Sequence, residues 1–360
     1  MDNQAEIFKY IHTADIQRVY GEITKTAIMP PFWMSMYSLV STASPAIANI
    51  KEFVRTSHCR KWSVFSDYVF HGQYVHNDVV SFAIIPFTSK EGYDWIRSHI
   101  KEKVPHDSKY YKKGNPIPEE VAIAINETQT FIVSFVLPQK WHLFGDKISD
   151  LCRIRIFLDT IMKCLLVWAS NAPNEQRQSQ HLQVCSVIKG FLDQPETDWK
   201  LPKVRQVILV SILAAFVRYL VEKICLGGQI MWGTDRDSIF EWPDGKHKGT
   251  LYEIEECLLH NFLVHDGLSD LTSFMYAEPI PEFGSDNLWY DEFNRLADFA
   301  AGALAMLDTS SKSVPGSKFN HYFRHVIADN PRFITFLINP SECFCKELEF
   351  KAADPQQNRL

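Results

Sequence analysis

Residues Gln229 to Asp237 read Gln-Ile-Met-Trp-Gly-Thr-Asp-Arg-Asp, a short apolar run behind Gly227 and Gly228 that ends in two aspartates. A buried strand that delivers carboxylates at its C-terminal end suits an α/β fold, where ligands gather outside the carboxyl ends of strands. Side chains alternate along a strand, so Asp235 and Asp237 share a face if the extension continues. Two acids on one edge suit a divalent cation. They equally suit an Asp-rich turn that simply ends the strand. The choice depends on whether other segments send acids to the same place.

Four more strands and several helices are expected around this one. Trp62 to Phe70, Val79 to Phe87 and Thr130 to Leu137 are apolar, β-branched and aromatic runs bounded by turn residues, and the first two look antiparallel. Leu271 to Ala277 completes the set of five. Helical spacing of apolar residues marks Ala14 to Ile28, Lys90 to Lys103, Leu151 to Ser170, Lys203 to Leu226, Glu253 to Val264 and Tyr290 to Leu307. Ser44 to Val54 forms a helix after Pro45, and Pro118 to Ile125 and Leu182 to Phe191 form two shorter ones. Asn171 to Ser179, rich in Asn, Gln and Ser, is expected to be an exposed loop. Phe333 to Ile338 is either a helix or a strand, and the chain frays after Lys351.

The longest apolar run, Val207 to Val217, is too short to span a membrane and reads as a buried helix. Met1 to Lys9 lacks the basic-then-apolar pattern of a secretory signal. The eight cysteines are scattered, and Cys343 and Cys345 find no second pair to complete a zinc site. A reducing cytoplasm, with no membrane association, is the expectation.

The net charge of −6 argues against a uniformly basic surface, but its distribution is uneven. Arg97 to Lys113 holds six Lys and Arg against two acids, whereas Trp232 to Ala301 holds fifteen acids against four Lys and Arg. A basic patch beside an acidic region can hold a phosphate chain near a metal, and a solvated helix end gives the same count. There is no Gly-x-Ser-x-Gly nucleophile elbow, and Gly245 to Thr250 has phosphate-loop residue types in the wrong order. His260 and His265, five apart, do not share a helix face as the pair of a zinc helix does.

Three acids occupy suggestive places. Asp67 lies among large apolar residues of the first strand, Asp235 ends the fourth, and Asp298 sits in an otherwise apolar helix face, Leu296 to Ala303. A carboxylate in such surroundings is costly unless it is paired or binds a cation. In this order the chain resembles the RNase H-like superfamily. It resembles more narrowly a largely uncharacterised family with an N-terminal Asp-Glu-Ser strand and a C-terminal Gln-Leu-Ala-Asp helix. The matching stretches are Phe65-Ser66-Asp67, Ser108-Lys109, Thr234 to Asp237, and Asn294 to Asp298 followed by Ala300-Ala301-Gly302. They span about residues 61 to 308. Tyr68 stands where the family has Glu, and Asn294 where it has Gln.

The resemblance implies an RNase H-like mixed five-stranded sheet flanked by helices. Residues 1–60 are then an extra helical segment, 61–308 the core with a helical insertion near 171–203, and 309–360 a C-terminal extension. It implies Mg²⁺ or Mn²⁺ held by Asp67, Asp235 and Asp298. Glu278 or Asp237 could supply the ligand that Tyr68 does not, and Lys109 is either a group that neutralises a phosphate oxygen or an exposed loop lysine. The implied activity is a metal-dependent nuclease acting on DNA or RNA, in nucleic-acid processing or as a toxin or defence effector. The competing expectation is a binding or scaffold protein that keeps the fold with weakened catalysis. The missing Glu beside Asp67 favours that reading, as does the aromatic Pro31 to Met34 stretch, which offers a surface for a protein partner in the N-terminal helical segment.

Overall fold

A computed structural model describes residues 29–41, 45–71, 75–112, 114–139, 141–225, 228–235, 239–268, 273–277, 281, 288–308, 318–339 and 343–346. In chain order these form α1 (Phe32–Ser41), α2 (Pro45–Thr56), β1 (Lys61–Val69), β2 (Asn77–Pro86), α3 (Lys90–Lys103), α4 (Glu119–Glu127) and β3 (Phe131–Pro138). There follow α5 (Lys147–Ser170), α6 (Glu175–Leu192), α7 (Leu201–Cys225), β4 (Gln229–Thr234), α8 (Thr250–His265) and β5 (Ser273–Tyr276). The chain closes with α9 (Asp291–Ala305), β6 (Phe333–Ile338) and β7 (Cys343–Lys346). The protein is thus an α/β chain with a mixed sheet and flanking helices. The expected helix at Ala14 to Ile28 lies outside the described residues.

The chain packs as two compact units that interleave along the sequence: residues 1–38, 140–279 and 339–342 in one, 39–139, 280–338 and 343–360 in the other. We call them the helical unit and the sheet unit.

In the sheet unit the strands lie in the order β1-β2-β3-β6-β7. β1, β2 and β3 form an antiparallel meander, β6 runs parallel to β3, and β7 antiparallel to β6. β1, β2 and β3 are buried almost end to end, as strands covered on both faces must be. With β4 and β5 of the helical unit, the strands among the described residues number seven, two more than the five expected, and the additional two are β6 and β7. The run Phe333 to Ile338 is apolar except for Thr335 and too short to show a period, and such a run reads as helix or strand until a partner edge, here β3, decides.

Helix α9 covers β1 and β2. Its Phe293 ring and that of Tyr290, the residue just before the helix, stack on Phe65 of β1, with centroids 5.2 and 5.4 Å away. At the other end Asn77 of β2 donates from Nδ2 to the carbonyls of Leu304 and Leu307, which secures the last turn of the helix. Helix α3 starts where Ser89 Oγ accepts the Gly92 N–H, and it buries Ile96 and Ile100.

In the helical unit α7 is buried over nearly its whole length, and its neighbours are α8 and β4. β4 and β5 pair in parallel. Trp33 of α1 stacks on Phe262 of α8, with ring centroids 4.1 Å apart. α5 and α6 form an antiparallel-type hairpin joined by a short connection, and here an expectation fails. Asn171 to Ser179 is exposed apart from the half-buried Ala172, Arg177 and Gln178, but α6 already begins at Glu175, because Asn174 caps it by accepting the Arg177 N–H. Among the described residues no helix is long and apolar enough to cross a membrane.

Candidate functional site

Of the residues expected to carry chemistry, Asp67, Lys109 and Asp298 belong to the sheet unit and Asp235 to the helical unit. Asp237 and Glu278 lie outside the described residues. Asp235 follows directly on β4 and is half-buried, as expected of an acid delivered at the end of a strand.

Asp67 sits in the middle of β1, opposite Ser81 of β2, and is 7% exposed. Alternation along the strand puts its side chain on the face of Phe65, the face that α9 covers. Its Oδ1 accepts the Tyr68 N–H at 2.6 Å. Tyr68 points to the opposite face, where its hydroxyl lies 2.9 Å from Ser66 Oγ. The position at which the resemblance expects a carboxylate is therefore filled by a buried tyrosine.

Asp298 is held from both oxygens. It stands on α9, 7% exposed, and both of its oxygens are engaged by one residue. The Ser108 N–H donates to Oδ2 at 2.6 Å and the Ser108 hydroxyl to Oδ1 at 2.9 Å. Burial pushes the Asp298 carboxyl above its ordinary range, and the neighbouring Asp107 adds to this. The two Ser108 bonds and the Lys109 charge pull the other way without cancelling it. The 3-10 turn Ser108–Tyr110 carries both Ser108 and the exposed Lys109. Two stretches nearly two hundred residues apart in sequence thus meet at one carboxylate.

The small residues of α9 explain how the turn comes so close. Gly302 lies one helical turn beyond Asp298 on the same side. A Cβ there would stand 3.0 Å from Ser108 Oγ and 3.1 Å from the Phe319 ring. Lys318 and Tyr322 approach Asp298 from the following segment. Burial lowers the Lys318 ammonium pKa, against the pull of Asp298. Burial and the Asp298 charge together raise the Tyr322 phenol well above its usual value. Tyr322 Oη and Asn294 Oδ1, one turn before Asp298, are buried with no hydrogen-bond partner among the described residues. Orphaned polar atoms beside a buried carboxylate are where an ordered water or ion is expected.

The same turn offers an aromatic surface. His106 and Tyr110 stack with centroids 3.8 Å apart, and Tyr110 is 53% exposed. Arg295 of α9 pairs with Asp107 at 3.2 Å and donates to the Val104 carbonyl, so the chain is tied to the helix just ahead of the Ser108 turn. A separate cleft of about 750 Å³ opens between α2, α3 and the end of α4, lined by Phe53, Trp95, Glu127 and Arg332; none of Asp67, Lys109 and Asp298 lines it.

The helical unit holds a second polar concentration that sequence reasoning did not anticipate. Arg177 of α6 donates to Glu253 at 3.1 Å and to both oxygens of Glu256 at 2.6 and 2.5 Å. His181 Nδ1 lies 2.8 Å from Glu253. Deeper in, Arg218 of α7 donates to Glu255 at 2.9 Å and to the Ile230 carbonyl, and the Tyr276 hydroxyl also donates to Glu255. Burial pushes the Glu255 carboxyl up to about 7 despite these partners. The signal in the sequence was the triplet Glu253, Glu255 and Glu256 in an otherwise apolar helix.

No known family model, curated protein or solved structure matches this chain.

Proposed function

We propose that this protein is a nuclease of RNase H-like fold that depends on Mg²⁺ or Mn²⁺. The observation that carries the reading is the pair of hydrogen bonds that Ser108 donates to Asp298, which joins the Ser-Lys element to the Ala-Asp helix. Three further observations support it. Asp67 lies centrally on the first strand of an antiparallel meander, on the face that α9 covers. Orphaned oxygens of Asn294 and Tyr322 accompany Asp298. A lysine and an exposed, stacked tyrosine occupy the adjoining turn.

The residues fit such a cation. Carboxylate oxygens are the donors that Mg²⁺ and Mn²⁺ prefer, and each oxygen of Asp298 keeps a second lone pair beside its Ser108 bond. When bound, the cation supplies Lewis acidity and an acidified water for phosphodiester hydrolysis. The chain's own contributions are positional. Ser108 locks the rotamer of Asp298, Asp67 and Asp298 supply the negative charge, Lys109 neutralises a phosphate oxygen, and Tyr110 with His106 offers a face on which a base can stack.

The test is cleavage of labelled single- and double-stranded DNA and RNA with Mg²⁺ or Mn²⁺, using the wild type and Asp67→Asn, Asp298→Asn and Asp235→Asn. Cleavage that needs the metal and disappears in the first two variants is the expected result. A specific observation favours one alternative, a binding protein with weakened catalysis: the buried Tyr68 supplies no carboxylate where the resemblance expects one. Metal-independent binding of oligonucleotide with no cleavage in any metal would establish that alternative.

A further inference from the structure

On another face of the sheet unit, Glu119 in the first turn of α4 meets two histidines from the segment after α9. His321 belongs to a helical turn, Asn320–Tyr322, and His325 to the π-turn that follows it, Phe323–Ile327. Their ligand atoms and a Glu119 oxygen all lie within 4.8 Å of one another. His325 Nε2 is 2.6 Å from Glu119 Oε1, and His321 Nδ1 is 4.0 Å from the same oxygen. The two rings are almost parallel, 15° apart in plane with centroids separated by 6.3 Å. Residues four apart on a helix face the same way, so the spacing presents both rings to Glu119. Among the described residues this is the one such group of three, and the predicted aspartates are not part of it.

We propose that Glu119, His321 and His325 form a binding site for a divalent transition metal of the zinc class, with its remaining coordination positions open to water. Two imidazoles and one carboxylate are a donor set that zinc takes with an open position. Imidazole nitrogen discriminates against Mg²⁺ and Ca²⁺, which prefer oxygen, so this site differs in kind from the aspartate site. Zinc–nitrogen bonds of about 2.0–2.1 Å place neighbouring ligand atoms roughly 3.3 Å apart. The wider gap to His321 closes by side-chain rotation, because the His321 and Glu119 side chains are 40% and 46% exposed. The backbone beneath them is anchored, with Phe319, Tyr322, Phe323 and Val326 buried in the core. Isolated π-turns are uncommon and recur at functional sites, which agrees with a ligand held here.

Titration calorimetry with zinc chloride, in a reductant that does not chelate metal, tests the proposal on the full chain. One zinc per chain is expected. The double variant His321→Ala, His325→Ala should lose at least tenfold in affinity, and Glu119→Gln should lose less. Neither should change the circular dichroism of the metal-free protein. Should the double variant misfold, the single His321→Ala variant, altered at an exposed ring, must show the same loss. Bound Co²⁺ should give an absorption spectrum without a thiolate charge-transfer band. The proposal is overturned by unchanged affinity in the variants, by a thiolate band that assigns the metal to cysteines, or by the absence of saturable heat with zinc in large excess.

Discussion

At the residue scale the sheet unit turns on one serine and one glycine. Ser108 gives both its N–H and its hydroxyl to Asp298, and hydrogen bonds to a charged group contribute about 1.5–3 kcal/mol each. Ser108→Ala keeps the backbone bond and removes the other. It should lower stability by about 1.5–3 kcal/mol in urea unfolding, and it should raise the Asp298 pKa further, since that bond favours the ionised form. Gly302→Ala should cost about 1–3 kcal/mol through overpacking, because its methyl would collide with Ser108 and Phe319. Gly302→Ala paired with Ser108→Ala should cost less than the sum, since one of the two obstructing groups is then gone. Asp298 also makes a pH prediction. Its carboxyl is raised in the folded state, so the folded protein binds the proton more tightly than the unfolded chain. Its contribution is fully present below the ordinary Asp pKa of about 3.9 and is lost as pH rises through the folded value. Stability of the wild type relative to Asp298→Asn should therefore decline as pH rises across that window.

At the element scale, α6, α7 and α8 of the helical unit are tied together by charges in their interior. Arg218 and Glu255 are both completely buried. Removing one partner of a buried pair strands the other and costs about 3–5 kcal/mol, whereas replacing both by apolar residues of similar volume is often neutral. Arg218→Met alone should thus be severely destabilising, and Arg218→Met with Glu255→Leu should recover most of the loss. Thermal unfolding of the single and double variants measures this. Glu255, raised from 4.5 to about 7, should make stability fall as pH rises between those values, a slope that Glu255→Gln removes. The elements themselves were largely legible. Apolar runs marked β1 to β5, and helical spacing marked α3, α5, α7, α8 and α9. The start of α6 was not, because Glu175 to Gln180 carries almost no apolar residue. Its order comes from the Asn174 cap and from Arg177 reaching Glu253 and Glu256, which lie far along the chain.

At the scale of the whole molecule, what could be read depended on how far apart the cooperating residues lie in sequence. Asp67 and Asp298 stood out singly, as acids in an apolar strand and an apolar helix face, whereas Lys109 had only its place in a basic loop. Ser108 was visible only as a motif neighbour, and its role as the donor to Asp298 needed the fold. His321 and His325 carry the spacing of a metal pair, but the third ligand, Glu119, comes from a helix two hundred residues earlier. The two proposed sites differ in donor chemistry, and stability measurements can therefore separate them. A ligand that binds only the folded state stabilises it by about 2.7 kcal/mol at a hundred times its dissociation constant. Mg²⁺ should raise the Tm of the wild type and of the His321→Ala, His325→Ala variant alike, but not of Asp67→Asn or Asp298→Asn. Zn²⁺ should show the reverse pattern. Carboxylate oxygens select the first ion, and imidazoles the second. If Asp298→Asn instead unfolds at a much lower temperature and responds to Mg²⁺ as the wild type does, Asp298 acts only to hold the Ser108 turn. The protein is then better understood as a binding scaffold than as a nuclease.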